Sequence, residues 1–352
     1  MGPYIKKSFS LWLALLIALT AAPGCGANAA KETDSAGSGG LQANGSLFKV
    51  RAVSYSNNLT AYVNLLGIQK GIYAKHGLDV EITVFAAGIN SLDALQLDQL
   101  DIGSAADFAF LNRVASSEES VLRIVASNGV IAPDSTVLVA NSKDIDSIAD
   151  LNGKKALVGI GTVGEFCWFE AIKKSGLKQS DIELVPSEGG ASDIALLSNN
   201  SVSAAWGTTK TLQLLKDAGV EEAHAIADLS ILDSPTVSIV VSTDKFINEH
   251  TKEMAAYLLA YAEILDLFEA DLDGTAEEVH RLDPVIPVDE VKLAYNTSGL
   301  NFDFRAENLK AMQAIVDWGL NESKVFKRDY NVEDYLNLRA LKEAYPDRGN
   351  YK

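Results

Sequence analysis

From residue 48 onward, the hydrophobic positions of the chain switch repeatedly between the spacing of a β-strand and that of an α-helix. The run FKVRAVSY, residues 48–55, is strand-like. It ends in the polar loop SNN, residues 56–58, after which apolar residues recur at helical spacing until Gly77. The pattern therefore predicts a strand, a loop and a helix in this order.

The next run, DVEITVF at residues 79–85, places apolar side chains on one face and Glu81 and Thr83 on the other. Such half-polar alternation is typical of an edge strand. The loop AAGIN follows, and in it Asn90, with Asp93 three residues on, resembles a capping pair for the next helix.

The stretch LDQLDIGSAAD, residues 97–107, predicts a very short strand over residues 100–103. Small residues follow at 104–106, and Asp107 comes directly after them. Small side chains at the end of a strand would let a ligand lie against the backbone. We therefore interpret this stretch as one lip of a binding cleft.

The same order of elements returns in the second half of the chain. The runs KKALVGI, GTVG and EFCWFEAIKKSG predict a strand, a loop and a helix. The stretch LLSNNSVSAAWGTT then repeats the pattern of LQLDQLDIGSAAD, with a helix end, a polar turn, a short strand and small residues. We infer two α/β units of matching order, with Trp206 in the second lip where Asp107 stands in the first.

Strands that alternate with helices predict parallel sheets covered by helices on both faces. Ligands bind such sheets beyond the carboxyl ends of the strands, so two facing units would enclose a cleft. A further strand, TVSIVVS at residues 236–242, precedes mostly helical sequence that includes residues 253–268. The predicted fold class is therefore α/β, with a ligand cleft between two lobes.

Composition and charge narrow the class of partner. The chain has 352 residues, 47% hydrophobic and 22% charged, which is enough for one large or two medium domains. Its net charge of −17 makes nucleic acid and anionic membrane surfaces unfavourable partners. Cys167 has no second cysteine within the predicted lobes, so we expect no disulfide.

The first residues have the pattern of an export segment. Two lysines precede the apolar run LWLALLIALTAA, which has the length of a signal peptide and is short for a membrane span. The run ends in APGC, which is similar to the lipobox of bacterial lipoproteins except at Ala22, where leucine is usual. We predict a signal peptide over residues 1–25 with lipidation of Cys25, then a flexible tether over residues 26–46. Cleavage without lipidation is the alternative.

Four blocks of sequence resemble a known family: GIQKGIYAKHGLDVEITVFAAG, LDQLDIGSAAD, SIADLNGKKALVGIGT and SPTVSIVVSTDKFINEH. They occur in the order found in the solute-binding components of ABC importers. Within these the chain is similar to the type II group of sulfonate, nitrate and taurine binders, which also includes binders of thiamine-precursor pyrimidines and of riboflavin. The resemblance covers residues 48–320.

The resemblance implies a two-lobed type II periplasmic-binding-protein-like fold that closes like a hinge on one small molecule. Lobe 1 would combine residues 47–135 and 235–352, lobe 2 would be residues 136–234, and the crossings would lie near 128–135 and 234–236. The resemblance further implies an exported monomer, which is either periplasmic or, with Cys25 lipidated, anchored to the outer face of the cytoplasmic membrane. Such a protein delivers its ligand to an ABC permease, which works with an ATPase. It binds no cofactor or metal ion and catalyses no reaction.

Helix N-termini supply the candidate binding site, because their unpaired N–H groups and dipole favour anions. The residues that we predict to line the cleft lie at helix starts, in the two lips and at a crossing: Ser56, Asn57, Asn58, Gly88, Asn90, Ala106, Asp107, Asn128, Gly161, Thr162, Glu165 and Trp206. Taken singly, each is explained equally well by capping a helix or turning the chain.

Two acids refine the expected ligand. If Asp107 and Glu165 both face the cleft, they repel a pure anion, so the ligand should carry a cationic or hydrogen-bond-donating part. Trp206 would stack on a flat or cationic ligand. Capping of its own helix is the alternative role for Glu165. Two ligand classes stay open: a sulfonate/taurine-like or amine-bearing molecule, and a thiamine-precursor pyrimidine or flavin-type ring.

Other classes of protein have weaker support. GIGTVG, residues 159–164, matches G-x-G-x-x-G between a strand and a helix, and Asp181 lies twenty residues beyond Gly161. An exported enzyme that uses a nucleotide cofactor is therefore one alternative, although Asp181 starts its strand rather than ending it. The four histidines lack the spacing of metal ligands, and no serine stands in a G-x-S-x-G elbow. A sensory module that uses the same cleft is the other alternative.

Overall fold

The computed structural model describes residues 46–55, 58–233, 235–298 and 301–352. The strands are β1 (Phe48–Tyr55), β2 (Leu78–Phe85), β3 (Gly103–Ala106), β4 (Leu122–Val130), β5 (Val137–Ala140), β6 (Lys155–Val158), β7 (Glu183–Pro186), β8 (Ala204–Gly207), β9 (His224–Asp228) and β10 (Val237–Thr243). The helices are α1 (Leu59–Gln69), α2 (Ile72–Lys75), α3 (Gly88–Gln96), α4 (Asp107–Ala115), α5 (Val163–Ser175), α6 (Gly190–Ser198), α7 (Thr209–Asp217), α8 (Asp244–Glu249), α9 (Thr251–Ala270), α10 (Leu272–Leu282), α11 (Val288–Asn296), α12 (Ala306–Asn321) and α13 (Arg339–Ala344).

The strands form two groups with the same arrangement. In the first group, β1 pairs with β2, and β10 lies between β3 and β4. A bridge between Ala52 and Ile102 connects these two sheets, so that the order is β2-β1-β3-β10-β4. The second group is one five-stranded sheet of order β7-β6-β8-β5-β9. The two orders correspond strand for strand, which is the repetition that the sequence predicts.

The prediction of parallel sheets is wrong for two strands. β10 runs antiparallel to β3 and β4, and β5 runs antiparallel to β8 and β9. Both strands enter their group directly from the other one. Such a strand begins at the edge where the parallel strands end, and it must therefore run in the opposite direction.

β2 is an edge strand, as its alternation predicts. Among the described strands it pairs with β1 alone, and the side chains of Glu81 and Thr83 are exposed. None of the helices in the described ranges is both long and apolar enough to cross a bilayer.

β3 begins three residues later than predicted and consists of the small residues themselves. α3 crosses directly over it. A Cβ atom on Gly88 would lie 2.9 Å from the Cα of Ala105, and one on Gly103 would lie 2.7 Å from Cδ1 of Leu95. The small residues therefore allow a helix to approach the strand. Gly103 and Ser104 also line a cavity of about 20 Å³ beside Asn128, so a contact of this stretch with a ligand stays a prediction.

The buried side chains form separate hydrophobic clusters in the two groups of strands. The largest cluster draws on residues 50–126 and 237–341, whereas the other clusters draw on residues 137–232. The C-terminal helices thus pack on the first group. The connecting segments contact each other, because the N–H of Ile131 donates to the carbonyl of Thr236 at 2.8 Å.

Candidate ligand-binding cleft

A cavity of about 310 Å³ lies where the first and second groups meet. The first group contributes the N-terminus of α1 together with residues of α9 and α11, and the second group contributes the N-terminus of α7. The end of β4 and the segment that leads to β5 complete the lining. Because elements of both groups enclose it, this cavity is the candidate binding cleft.

Two helix N-termini line the cleft from opposite groups. Asn58 caps α1, and its Oδ1 accepts the N–H of Thr60 at 2.8 Å. Thr208 caps α7, and its own N–H donates to Oγ1 of Thr211 at 3.1 Å. The remaining N–H groups of a first turn lack intrahelical acceptors and carry partial positive charge. The cleft therefore offers two such turns to an anionic group.

One ion pair connects the groups across the cleft. Nζ of Lys210 in α7 lies 2.9 Å from Oε2 of Glu290 in α11, and Tyr62 of α1 donates its O–H to Oε1 of Glu290 at 2.8 Å. Burial and the neighbouring Glu290 raise the pKa of Tyr62. Lys210 is half-buried and thus places its cation in the cleft beside the first turn of α7.

Asn128 occupies a β-bulge beside the cleft. Ser238 of β10 pairs with Gly129 and Ile239 pairs with Ser127, so Asn128 is the extra residue in β4. Its exposed fraction is 8%, and its Oδ1 atom has no hydrogen-bond partner. A buried carbonyl oxygen without a partner costs about 1–3 kcal/mol. A ligand that brings a donor to this atom would recover that cost.

The N-termini of α4 and α5 also face each other, but aromatic side chains fill the space between them. The rings of Phe108 in α4 and Phe166 in α5 stack with centroids 5.4 Å apart and planes 1° apart. Trp318 of α12 meets Phe166 edge-on at 4.6 Å. A Cβ atom on Gly161 would lie 2.5 Å from Cδ1 of Ile89, so the loop before α5 packs directly on α3. Side chains thus fill the space that we predicted for a ligand at this side.

The structure corrects the role predicted for Asp107. Its side chain is fully buried, Oδ1 accepts the N–H of Phe108 at 2.8 Å, and Oδ2 accepts the N–H of Val237 at 3.1 Å. Burial raises the pKa of this carboxyl to about 7. Asp107 connects the start of α4 to the start of β10 and presents no atom to the cleft.

Three further predicted residues cap helices. Oε2 of Glu165 accepts the N–H of Gly161 at 2.7 Å, and Oγ1 of Thr162 accepts an N–H in the first turn of α5. Burial raises the pKa of Glu165. Oδ1 of Asn90 accepts the N–H of Ala87 at 3.1 Å, because α3 begins at Gly88 rather than at Asn90. Capping was the alternative role for Glu165, and it is the one observed.

The remaining predicted residues divide as follows. Gly88 lies in close contact with β3, and Ala106 pairs with Ser238 of β10. Neither residue lines the cleft. Trp206 packs edge-on against Trp168 at 6.3 Å, inside the second group, and its buried Nε1 lacks a partner. Ser56, Asn57 and Cys25 lie outside the described residues. Of the predicted set, the described cleft lining contains Asn58 and Asn128.

The sequence analysis missed Lys210 and Glu290. The signal for Lys210 was available, because the repeat places a helix start shortly after β8, at Thr209, as α4 starts directly after β3. Glu290 had no comparable signal, since it lies in a helix outside the repeat.

The geometry does not favour the enzymatic alternatives. Gly161 of GIGTVG contacts Ile89, so the loop lacks room for a pyrophosphate. Cys167 is fully buried, and burial raises the pKa of its thiol, which opposes a nucleophilic role. Within the described ranges, no cluster of three or more histidine, cysteine or acidic residues could hold a metal ion.

Comparisons with known proteins agree with the observed architecture. The profile of the family described as NMT1/THI5 like matches residues 58–267. A protein of Brucella abortus, described provisionally as a binding protein, is 34% identical over 123 residues, which are 35% of this chain and 36% of that protein. The match thus spans about a third of the length of this relative.

Two solved structures superpose over most of the chain. The alkanesulfonate-binding protein SsuA of Xanthomonas axonopodis pv. citri, solved with MOPS bound, gives a TM-score of 0.69 at 18% identity and covers 82% of this chain and 98% of that one. The periplasmic aliphatic sulphonate-binding protein SsuA of Escherichia coli gives 0.66 at 18% identity, over 82% and 92%. At these identities the likeness shows the fold, which is that of periplasmic binding proteins. The predicted fold class is confirmed.

Proposed function

The chain belongs to the NMT1/THI5-like family, and from this premise we propose that it is the extracytoplasmic solute-binding protein of an ABC importer. It captures a small organic anion that also carries a hydrogen-bond donor, and it delivers this molecule to a permease. The observation that carries the proposal is Asn128, whose buried Oδ1 lacks a partner at the edge of a cleft between two groups of elements.

Electrostatics of the cleft support an anionic head group. The first turns of α1 and α7 contribute partial positive charge, each worth about 0.3–1 kcal/mol to an anion. Lys210 places an ammonium group beside the second of them, with its charge partly balanced by the carboxylate of Glu290. Local dipoles and one cation act at short range, whereas the net charge of −17 is spread over the whole chain and screened by salt. An anion is therefore accommodated in spite of the acidic composition.

Two acceptors support a donor elsewhere on the ligand. Oδ1 of Asn128 is unpaired, and the carboxylate of Glu290 lines the same cleft. A sulfonate or carboxylate that also bears an amine or hydroxyl group satisfies both halves of the site. The carboxylate that faces the ligand in this proposal is that of Glu290, and not that of Asp107 as the sequence analysis predicted.

Closure of two lobes is part of the proposal. The division of the buried clusters favours residues 47–135 with 235–352 as one lobe and residues 136–234 as the other. The hydrogen bond from Ile131 to Thr236 would lie at the hinge. The pair formed by Lys210 and Glu290 would then hold the lobes together over a bound ligand.

Substitution of Lys210 tests the anion site. We expect Lys210→Gln to weaken binding of propanesulfonate by the full-length chain about fivefold to twentyfold, since a half-buried charge contributes about 1–2 kcal/mol. Lys216→Gln is the matched control, because Lys216 lies exposed in the last turn of the same helix and not in the cleft. Isothermal titration calorimetry with sulfonates, carboxylates, amines and amino-pyrimidines measures both variants. Equal weakening in both, or binding of neutral rings alone, would contradict the proposal.

We also propose that a lipid on Cys25 anchors the protein outside the cytoplasmic membrane. The lipobox-like APGC stretch and the export segment support this. Cys25→Ser should move the protein from the membrane pellet to the soluble exported fraction, as seen by immunoblotting after ultracentrifugation. Retention of the variant in the pellet would leave no role for the lipid.

A further inference from the structure

A second cavity of about 350 Å³ adjoins the cleft. Asn128 and Ser298 line both cavities, so they form the boundary between them. Beyond this boundary, the second cavity is lined by residues of α9, by Tyr295 of α11 and by the C-terminal residues Tyr345 and Arg348. It lies wholly within the first group of elements.

Unpaired carboxylates dominate the charge of this second cavity. Asp266 and Glu269 are exposed and lie one turn apart on α9, and neither forms an ion pair with a described residue. Arg348 adds one positive charge to this lining, so the two carboxylates leave it with a net negative charge. Its Nη1 donates to the carbonyl of Phe302 at 2.8 Å, and its guanidinium stacks 4.0 Å from the ring centre of Tyr345.

The buried amide of Asn128 supplies the second and independent observation. Its side chain is more than nine-tenths buried, its Oδ1 lacks any partner, and it lines the second cavity as well as the cleft. One uncompensated acceptor, two carboxylates and one guanidinium therefore surround one space, whose net charge is negative. This combination suits a donor-rich cation and opposes an anion.

We infer that the second cavity is an extension of the binding site that takes the cationic end of an elongated ligand. This rests on the proposed function, in which the first turns of α1 and α7 and Lys210 hold the anionic end. The ligand class is then a zwitterion with a sulfonate or carboxylate at one end and a primary amine or guanidine at the other. Asn128 lies at the passage between the two ends and accepts a hydrogen bond from the ligand.

A paired series of ligands tests this subsite. The full-length chain is titrated with propanesulfonate and hexanesulfonate, and with 3-aminopropanesulfonate and 6-aminohexanesulfonate. We expect the longer amine to bind at least about fivefold more tightly than hexanesulfonate, with an advantage that shrinks as salt is added. In the double variant Asp266→Asn/Glu269→Gln this advantage should fall about threefold to tenfold, while hexanesulfonate binding stays unchanged.

The double variant Glu118→Gln/Glu119→Gln is the control for net charge, because it removes two exposed carboxylates from the loop between α4 and β4, away from both cavities. It should bind all four probes as the wild type does. Wild-type protein that binds sulfonates without preferring the amine would overturn the subsite and leave the proposed function intact. Failure of every probe to bind would overturn both. An amine preference that survives Asp266→Asn/Glu269→Gln would overturn the assignment of the cation to this cavity.

Discussion

Replacing Asn128 with leucine is expected to make the unliganded protein more stable and its ligand binding weaker. Leucine has nearly the same shape and brings no unpaired carbonyl into the interior. The cost of the lone Oδ1 atom therefore disappears, and the free energy of unfolding should rise by about 1–2 kcal/mol. The ligand loses the acceptor for its donor group, which should weaken binding about tenfold to a hundredfold.

Asn141 provides a matched control for this substitution. It is as buried as Asn128, with an exposed fraction of 7%, but its Nδ2 donates to the carbonyls of Leu197 and Val202 and to Oδ1 of Asn200. Asn141→Leu should therefore lower the free energy of unfolding by about 2–4 kcal/mol and leave ligand affinity unchanged. Denaturant unfolding and calorimetric titration measure the two effects. If Asn128→Leu destabilised the protein as Asn141→Leu does and kept its affinity, Asn128 would be a structural residue.

The second large effect concerns Asp107. Asp107→Ala should lower the free energy of unfolding by about 2–3 kcal/mol, because the buried N–H of Val237 loses its acceptor. Ligand affinity of the folded variant should stay at the wild-type value, since this carboxyl does not line the cleft. Thermal and denaturant unfolding measure the first quantity, and titration at a temperature where the variant is folded measures the second. A large loss of affinity would restore Asp107 to the binding site.

The same residue predicts a pH dependence. Burial raises the pKa of Asp107 in the folded protein to about 7, above its ordinary value of 3.8, so the folded state binds this proton more tightly than the unfolded chain. The contribution is complete below about pH 4 and is lost as the pH rises through about 7. Relative to Asp107→Asn, the wild type should thus be about 1–3 kcal/mol more stable at pH 5 than at pH 8. A difference that does not vary with pH would show that Asp107 stays ionised when buried.

The substitutions of Asn128 and Asp107 distinguish a ligand-binding role from a structural role, which the sequence supported equally. Residues at helix starts serve either a ligand or the helix itself, and the composition of a loop is the same in both cases. Glu165, Thr162 and Asn90 proved to cap helices, while Asn58 caps a helix and also lines the cleft. The difference lies in whether the first turn faces a cavity or another helix, which is a property of packing.

The sequence was sufficient for the order of elements and for the fold class. The alternation that marks β1 and β2 is local, because successive side chains of a strand point to opposite faces whatever the rest of the chain does. The repetition of LQLDQLDIGSAAD in LLSNNSVSAAWGTT is likewise visible without coordinates, and it corresponds to the equivalent places of β3 and β8 in their sheets. The antiparallel direction of β5 and β10 was not predicted, since it depends on where the chain enters each sheet.

Only the tertiary structure decided which side of the cleft is open. The repeat creates two pairs of facing helix starts, and nothing in the local pattern distinguishes them. Phe108 and Phe166 are 58 residues apart in the chain, yet their stacking closes one pair. Lys210 and Glu290, 80 residues apart, meet across the other. Residue types and periodicity determine the elements and their repetition, because these follow from contacts within a few residues. The site follows from contacts between distant residues, and these exist only once the two groups of strands have packed together.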